Sequence, residues 1–285
     1  MWLVIAVLVI VAVLGLVIRN QIKVYQRRQA RADARHRPAL PVQRRQVLLE
    51  LLRPVSVTNC QLERFGERHD GGYLMCGNLL SAVRSAYSYG ISGYDQWGCD
   101  ISTKFDVPVH QYDCFDTTRT HCPEGKPVFH EECIGETRQT LDGRLFDTLA
   151  NQFAKNGDGS KRVVVKMDVE GAEWLSLLFA AEDTLAQIDQ LVVEFHWMRD
   201  ESQWIEDERY IAVVRRLKQF FEIAHIHFNN ASCVGDLQPF PSWAYEVLFV
   251  SKRLAIVDQS RTAGGLHPLD ARNNPSFPDC QPTWP

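Results

Sequence analysis

Three carboxylates, Asp168, Glu170 and Glu173, crowd the segment Val163-Val-Val-Lys-Met-Asp-Val-Glu-Gly-Ala-Glu-Trp174. A β-branched run leads into them and a helix-like pattern follows, so Asp168 and Glu170 fall at the carboxyl end of a strand. In open α/β sheets that end is where ligands bind. Carboxylates placed there can orient an acceptor or take its proton. Asp168 has a second reading as the N-cap of the following helix, a position that Asp favours. Glu173 sits in the first helical turn, where an acid suits the helix dipole. Trp174 joins Leu175 and Leu178 in an apolar stripe that should face the sheet.

A second group lies further on. In Glu194-Phe-His196 the alternation puts both polar side chains on one side of a strand. His225 and His227 repeat that spacing, and the strand ending at Asp168 is expected beside Glu194. Mixed oxygen and nitrogen ligands suit Mg, Mn or Zn. The same pattern also describes a half-buried polar strand face, and the sequence reading assigns no metal.

The glycine turn Gly90-Ile-Ser-Gly93 follows the strand-like run Ser85-Ala-Tyr-Ser-Tyr89. Glycines there let the backbone approach a ligand closely. Asp113 stands about 20 residues on, where the dinucleotide fingerprint expects an acid for ribose hydroxyls. The full GxGxxG is absent and no lysine follows the turn, which excludes a P-loop and disfavours a dinucleotide. A nucleoside without phosphates fits better.

These residues need elements to hold them. Apolar periodicity predicts helices over 42–52, 141–153, 173–181 and 210–221. Strands are predicted over 85–89, 107–112, 127–130, 163–167, 191–195, 221–228 and 244–250. Asp70-Gly-Gly-Tyr73 and Asn156-Gly-Asp-Gly-Ser160 read as turns. Alternating strands and helices imply an α/β domain with a Rossmann-like, mostly parallel sheet covered on both faces. That domain spans 46–255, and an irregular tail is expected over 256–285.

Residues 2–18 carry no charge, a length at the short end for crossing a bilayer. Basic residues follow this run rather than precede it, unlike a secretory signal. The reading is therefore a single transmembrane anchor over 1–18 and a basic linker over 19–45, with the globular part on the cytosolic side by the positive-inside rule. Residues 1–45 hold nine Lys/Arg against one acid, Asp33, so a chain of net charge −4 leaves −12 on residues 46–285. An acidic domain argues against nucleic acid as a partner. Eight cysteines without a zinc spacing, and the sequon Asn230-Ala-Ser232, point the other way, to an oxidising, lumenal or extracellular side. The charge asymmetry outweighs them, and the cytosolic side is the expectation.

Tyr87-Ser-Tyr-Gly-Ile-Ser-Gly93, Val109-His-Gln-Tyr-Asp113 and Val165-Lys-Met-Asp-Val-Glu-Gly-Ala-Glu173 resemble the FkbM-related, methyltransferase-like families of S-adenosylmethionine-dependent enzymes. Asp70-Gly-Gly-Tyr73, Asn229-Asn230 and Tyr245-Glu246-Val247 resemble the methyltransferase-like branch in particular. The resemblance implies a seven-stranded sheet with the cofactor above its first two strands. Gly90 and Gly93 would wrap the amino-acid end of S-adenosylmethionine and Asp113 its ribose. Asp168 and Glu170 would face the acceptor, with His196 the next choice for removing a hydroxyl proton. The acidic residue that usually opens the first glycine motif is replaced around Tyr87-Ser-Tyr89. The implied activity is O-methylation of a small-molecule, glycan or lipid-linked acceptor; the alternative is a catalytically silent binding or scaffold domain.

Overall fold

The computed structural model describes residues 41–196, 209–262, 264–282 and 284. The proposed anchor over 1–18, most of the basic linker, and Trp197 and Trp204 lie outside these residues. Among the described residues no helix is long and apolar enough to cross a membrane.

The centre is a seven-stranded sheet. Its strands are β4 (Ser85–Tyr89), β5 (Pro108–Tyr112), β6 (Lys126–His130), β10 (Val163–Met167), β11 (Ile188–His196), β12 (Phe221–Phe228) and β13 (Ala244–Ser251). They lie in the order β12-β13-β11-β10-β4-β5-β6. All run parallel except β13, which is antiparallel to both β11 and β12. The sheet is thus Rossmann-like and mostly parallel, as the alternation of elements predicted. From β4 the chain builds outward through β5 and β6, then returns to add β10 on the opposite side. The gap between β4 and β10 is the topological switch point, where α/β sheets open a crevice beyond their strand ends.

Parallel strands buried on both faces read as continuous apolar or β-branched runs, and β10 is buried at every position. Its alternate side chains feed two cores. Val163, Val165 and Met167 join Tyr87, Tyr89 and Phe195 on one face. There they meet α1 (Val42–Leu51), α3 (Leu149–Lys155), α4 (Glu173–Leu178) and α6 (Arg209–Phe220), which contribute Leu48, Phe153, Trp174 and Leu217 among others. In α6 the buried Tyr210, Ile211, Val213, Val214 and Leu217 form one helical stripe. Val164 joins Ala86, Val109 and Val192 on the other face. That face is covered by α2 (Gln96–Phe105) and the hairpin β2 (Leu62–Gly66)–β3 (Gly72–Cys76). Asp95 starts α2 by accepting the Gly98 N–H at 2.9 Å.

The helix predicted over 141–153 is half hairpin. β8 (Gln139–Leu141) and β9 (Arg144–Asp147) pair antiparallel, and β9 also pairs with β7 (Cys133–Ile134). Only then does Thr148 cap α3 by accepting the Asn151 N–H. Asp142 and Gly143 both have positive φ, 49° and 76°. That is the mirror-image turn for which Asp-Gly is the strongest short signal, and apolar periodicity masked it. The helix predicted over 173–181 ends at Leu178, and a separate α5 (Glu182–Gln187) follows it.

The terminal segment is irregular only in part. Val257–Thr262 is a strand, β14, pairing with β1 (Val55–Val57). Beyond it the Asn230 Nδ2 donates to the carbonyls of Asn274 and Phe277, each at 2.8 Å, and Cys280 is disulfide-bonded to Cys233. All eight cysteines pair, the others as Cys60–Cys76, Cys99–Cys122 and Cys114–Cys133. Asn230 is buried with its amide fully engaged, so the sequon does not offer a surface acceptor in the folded chain.

Candidate functional site

The register of the sheet delivers the predicted residues to one edge. Met167 lies opposite Tyr89 on one side and Val193 on the other. Asp168 is therefore flanked by Gly90 and Glu194 as the strands end. The Asp168 N–H donates to the Tyr89 carbonyl at 3.1 Å, and the Gly90 N–H to the Tyr112 carbonyl at 2.9 Å. Gly90 has φ of 75°, and a Cβ there would stand 1.7 Å from the Asp168 carbonyl oxygen. The glycine is required because two strand ends meet, whatever binds above them.

Asp113 closes β5 beside this turn and is buried. Its Oδ2 accepts the Ser92 N–H at 2.8 Å, while Oδ1 accepts from Phe115 and Asp116, also at 2.8 Å. A carboxylate offers about four lone-pair positions, so three backbone donors leave room for one more. Asp113 thus fixes the loop that carries Ser92 and Gly93 and retains capacity for one hydroxyl, which fits a ribose. Gly93, with φ of 79°, packs against Thr118.

Asp168 does not cap the next helix: the N-cap of α4 is Ala172, which makes no side-chain cap bond. Its carboxylate faces the sheet edge instead and keeps a quarter of its side-chain surface exposed. Oδ2 accepts the Tyr73 hydroxyl at 3.1 Å and lies 3.6 Å from the Lys166 Nζ. That ammonium also donates to the carbonyls of Tyr89 and Gly90, at 3.2 and 3.1 Å. Oδ1 points toward the His196 Nε2, 3.7 Å away. Glu170 sits exposed in the turn after β10 with φ of 56°.

Glu173, which the sequence reading gives only a dipole role, is fully buried. Its Oε2 accepts the Gly171 N–H at 2.8 Å. Its Oε1 accepts the His196 N–H at 2.6 Å and lies 3.3 Å from the same residue's Nδ1. Trp174 donates its indole N–H to the His196 carbonyl at 2.7 Å. One helical turn thereby clamps the end of β11. The signal was present as Glu173 and His196, but nothing in their spacing says that they meet.

A row of acids extends from here across the sheet. Glu194 stands opposite Glu246, and Glu246 opposite His227. The Asn229 Nδ2 donates to Glu194 Oε1 at 2.8 Å, and the Asn273 Nδ2 to Glu246 Oε1 at 2.7 Å and Asp70 Oδ1 at 3.1 Å. His225 and His227, weighed in sequence as ligands beside Glu194, turn elsewhere. His225 Nε2 meets Asp270 at 2.8 Å, and His227 lies 3.4 Å from Glu246 and 3.7 Å from Asp279.

The electrostatics follow from this crowding. Burial, and then the Asp168 charge, hold the Glu194 carboxyl well above the carboxylate range. Burial raises Asp70 too, with Glu246 and Asp168 adding to it against the Asn273 hydrogen bond. Burial drives the Tyr73 hydroxyl well up, so it stays a donor to Asp168. For His196 burial acts downward, but Glu173, Glu194 and Asp168 together outweigh it and push the imidazole up to about 10. The site demands positive charge between these carboxylates.

No family model matches the chain, and neither does any curated protein. Among solved structures, a chain of a fibrillarin/Nop5p complex is similar at 9% identity and a TM-score of 0.32, covering 60% of this chain and 73% of its own. A Methanococcus jannaschii fibrillarin pre-rRNA processing protein is similar at 11% identity and the same TM-score of 0.32, covering 61% of this chain and 69% of its own. Similarity at that level assigns neither a family nor an activity to this chain.

Proposed function

We propose that this chain is an S-adenosylmethionine-dependent methyltransferase that methylates an oxygen of a small-molecule, glycan or lipid-linked acceptor. One observation carries the reading. The Gly90 turn, the acid ending β5 and the acid ending β10 converge at the switch point of a Rossmann-like sheet. Gly90, Gly93 and Asp113 would hold S-adenosylmethionine there, the last with its remaining acceptor position. That cofactor supplies an electrophilic methyl group on a sulfonium.

The chain's own part is placement and proton removal. Methyl transfer to a hydroxyl needs the oxygen held in line and its proton taken by a nearby base. Asp168 is the base in this reading, because it ends β10 at the switch point with a quarter of its side chain exposed, while Glu173, Glu194 and Glu246 are buried. Glu170, exposed on the adjoining turn, would contact the acceptor further out. His196 holds its place beside Asp168 through Glu173.

Membrane attachment through residues 1–18 belongs to the same proposal. The side of the membrane is read from the cysteines. Four disulfides that consume every thiol support folding in an oxidising, lumenal or extracellular compartment, in preference to the cytosolic side that the basic flank alone would indicate.

Calorimetry of the full-length chain with S-adenosylmethionine tests the enzyme reading. Saturable binding below about 1 mM, the upper range of ordinary enzyme constants, is expected. Absence of binding at that concentration overturns it and leaves the silent scaffold domain in its place.

A further inference from the structure

Asp168, Glu194 and His196 each offer a ligand atom, and these atoms lie within 4.8 Å of one another at the ends of β10 and β11. His196 Nε2 is 3.7 Å from Asp168 Oδ1 and 3.9 Å from Glu194 Oε1. Both separations are too long for hydrogen bonds. Among the described residues nothing hydrogen-bonds to Nε2, although the histidine is 4% exposed. A buried imidazole therefore places Nε2 between two carboxylates, beyond hydrogen-bond distance of either. Ligand bonds of about 2.1 Å put neighbouring ligand atoms about 3.0–3.4 Å apart, so side-chain movements of about 1 Å would close the three around one ion.

The surroundings are those of an oriented ligand set. Metal-binding imidazoles commonly give their other N–H to a carboxylate, and ligating carboxylates are themselves hydrogen-bonded. Here Glu173 lies 3.3 Å from Nδ1 and can hold its proton, so a cation entering the cluster would displace only the proton on Nε2. Asn229 donates to Glu194 at 2.8 Å. Tyr73 and Lys166 serve Asp168 Oδ2, so Oδ1 is the oxygen left facing the cluster. Lys166 offsets one carboxylate, yet Glu173, Glu194 and Glu246 share the same buried region.

We infer that Asp168, Glu194 and His196 bind one divalent cation. Two carboxylate oxygens and one imidazole nitrogen favour a first-row transition ion such as Mn²⁺ or Zn²⁺ over Ca²⁺, which takes oxygen alone. Three protein ligands with one partly exposed side make an open site of the catalytic kind. The remaining positions face the sheet edge, where water or an acceptor oxygen would complete the shell; with the ion in place the acceptor hydroxyl would be acidified by the cation, and Asp168 would serve as its ligand rather than as the base. That last step alone rests on the methyltransferase reading; cation binding does not.

The test uses the full-length chain stripped with a chelator and titrated with Mn²⁺, followed by electron paramagnetic resonance. One Mn²⁺ per chain is expected, displaced by Zn²⁺, with a spin-echo modulation from one histidine nitrogen. The isosteric Glu194→Gln should weaken binding at least tenfold. Glu173→Gln, which leaves all three ligands in place, should weaken it roughly 10- to 100-fold. His196→Gln should abolish the nitrogen modulation. Circular dichroism identifies any variant that fails to fold, and Glu173→Gln then stands in for a lost His196 variant. The inference is overturned by no saturable uptake up to about 1 mM, or by Glu194→Gln binding like the parent. Calorimetry with S-adenosylmethionine on the same stripped sample reads the other proposal separately, since neither binding event requires the other.

Discussion

Replacing Gly90 with alanine should destabilise the protein far more than the same change at Gly143, and the gap measures how tightly β4 and β10 meet. The two glycines share a positive φ, 75° and 76°. Each substitution therefore incurs the same left-handed penalty, about 1–2 kcal/mol. At Gly143 nothing lies within 4 Å of the new Cβ, so the cost stops there. At Gly90 the Cβ would sit 1.7 Å from the Asp168 carbonyl oxygen. Relief requires the strand ends to part by at least about 1 Å, since such atoms pack near 3 Å or beyond. That movement strains the Asp168 N–H bond to Tyr89 and the Gly90 N–H bond to Tyr112, each worth about 1 kcal/mol. The total for Gly90→Ala is about 3–4 kcal/mol, leaving a difference of about 2 kcal/mol over Gly143→Ala. Urea unfolding of the full-length chain, followed by tryptophan fluorescence with disulfides intact, reads this difference. In thermal unfolding it corresponds to roughly 4–8 °C. Equal losses from the two variants would refute the close approach on which the site's geometry depends.

Two further outcomes are expected. His110 is buried between Tyr87 and His130, and burial outweighs the Asp158 carboxylate 3.5 Å from its Nε2, while His130 and Lys161 act with burial; its pKa is lowered to about 4. A histidine depressed in the fold stabilises it above its unfolded pKa near 6.5, and that contribution is lost as pH falls toward 4, up to about 3 kcal/mol. The fall in stability between pH 7 and pH 4.5 should therefore shrink in His110→Gln, and an unchanged slope in urea titrations would count against the burial argument. The disulfide Cys233–Cys280 closes a separation of 47 residues and fastens the terminal segment to the loop between β12 and β13. Replacing both by alanine should cost about 4 kcal/mol in the chain-entropy account. The natively folded parent should show no free thiol to Ellman's reagent after denaturation, and detection of thiols would remove the support for an oxidising compartment.

The sheet was legible because its strands obey local rules. Val163–Met167, Ser85–Tyr89 and Ala244–Ser251 are short runs rich in β-branched, aromatic and other apolar residues, each with one or two polar positions, and burial on both faces leaves little else for them to be. The hairpin at Asp142-Gly143 was legible too, but helical spacing on either side outweighed it. What could not be read was contact between residues far apart in the chain. Glu173 and His196 meet because α4 folds back over the end of β11, and a first-turn acid looks the same whether or not a histidine waits there. Tyr73 reaches Asp168 from a hairpin that joins no strand of the central sheet, and Asn229, just past the end of the edge strand β12, reaches Glu194 across the intervening β13. Periodicity places a residue on an element and a face; it says nothing of which faces share an edge. The Glu194-Phe-His196 alternation came nearest, because a strand period fixes both side chains to one side without help from topology. Its partner histidines failed for the opposite reason. His225 and His227 obey the same alternation, yet Asp270, from a segment with no periodicity of its own, holds His225, and Glu246 on the intervening β13 holds His227. The candidate centre is therefore a product of the crossovers. A change that leaves every local pattern intact but shifts β11 by one residue against β10 would turn Glu194 and His196 to the opposite face, and leave Asp168 alone at the sheet edge.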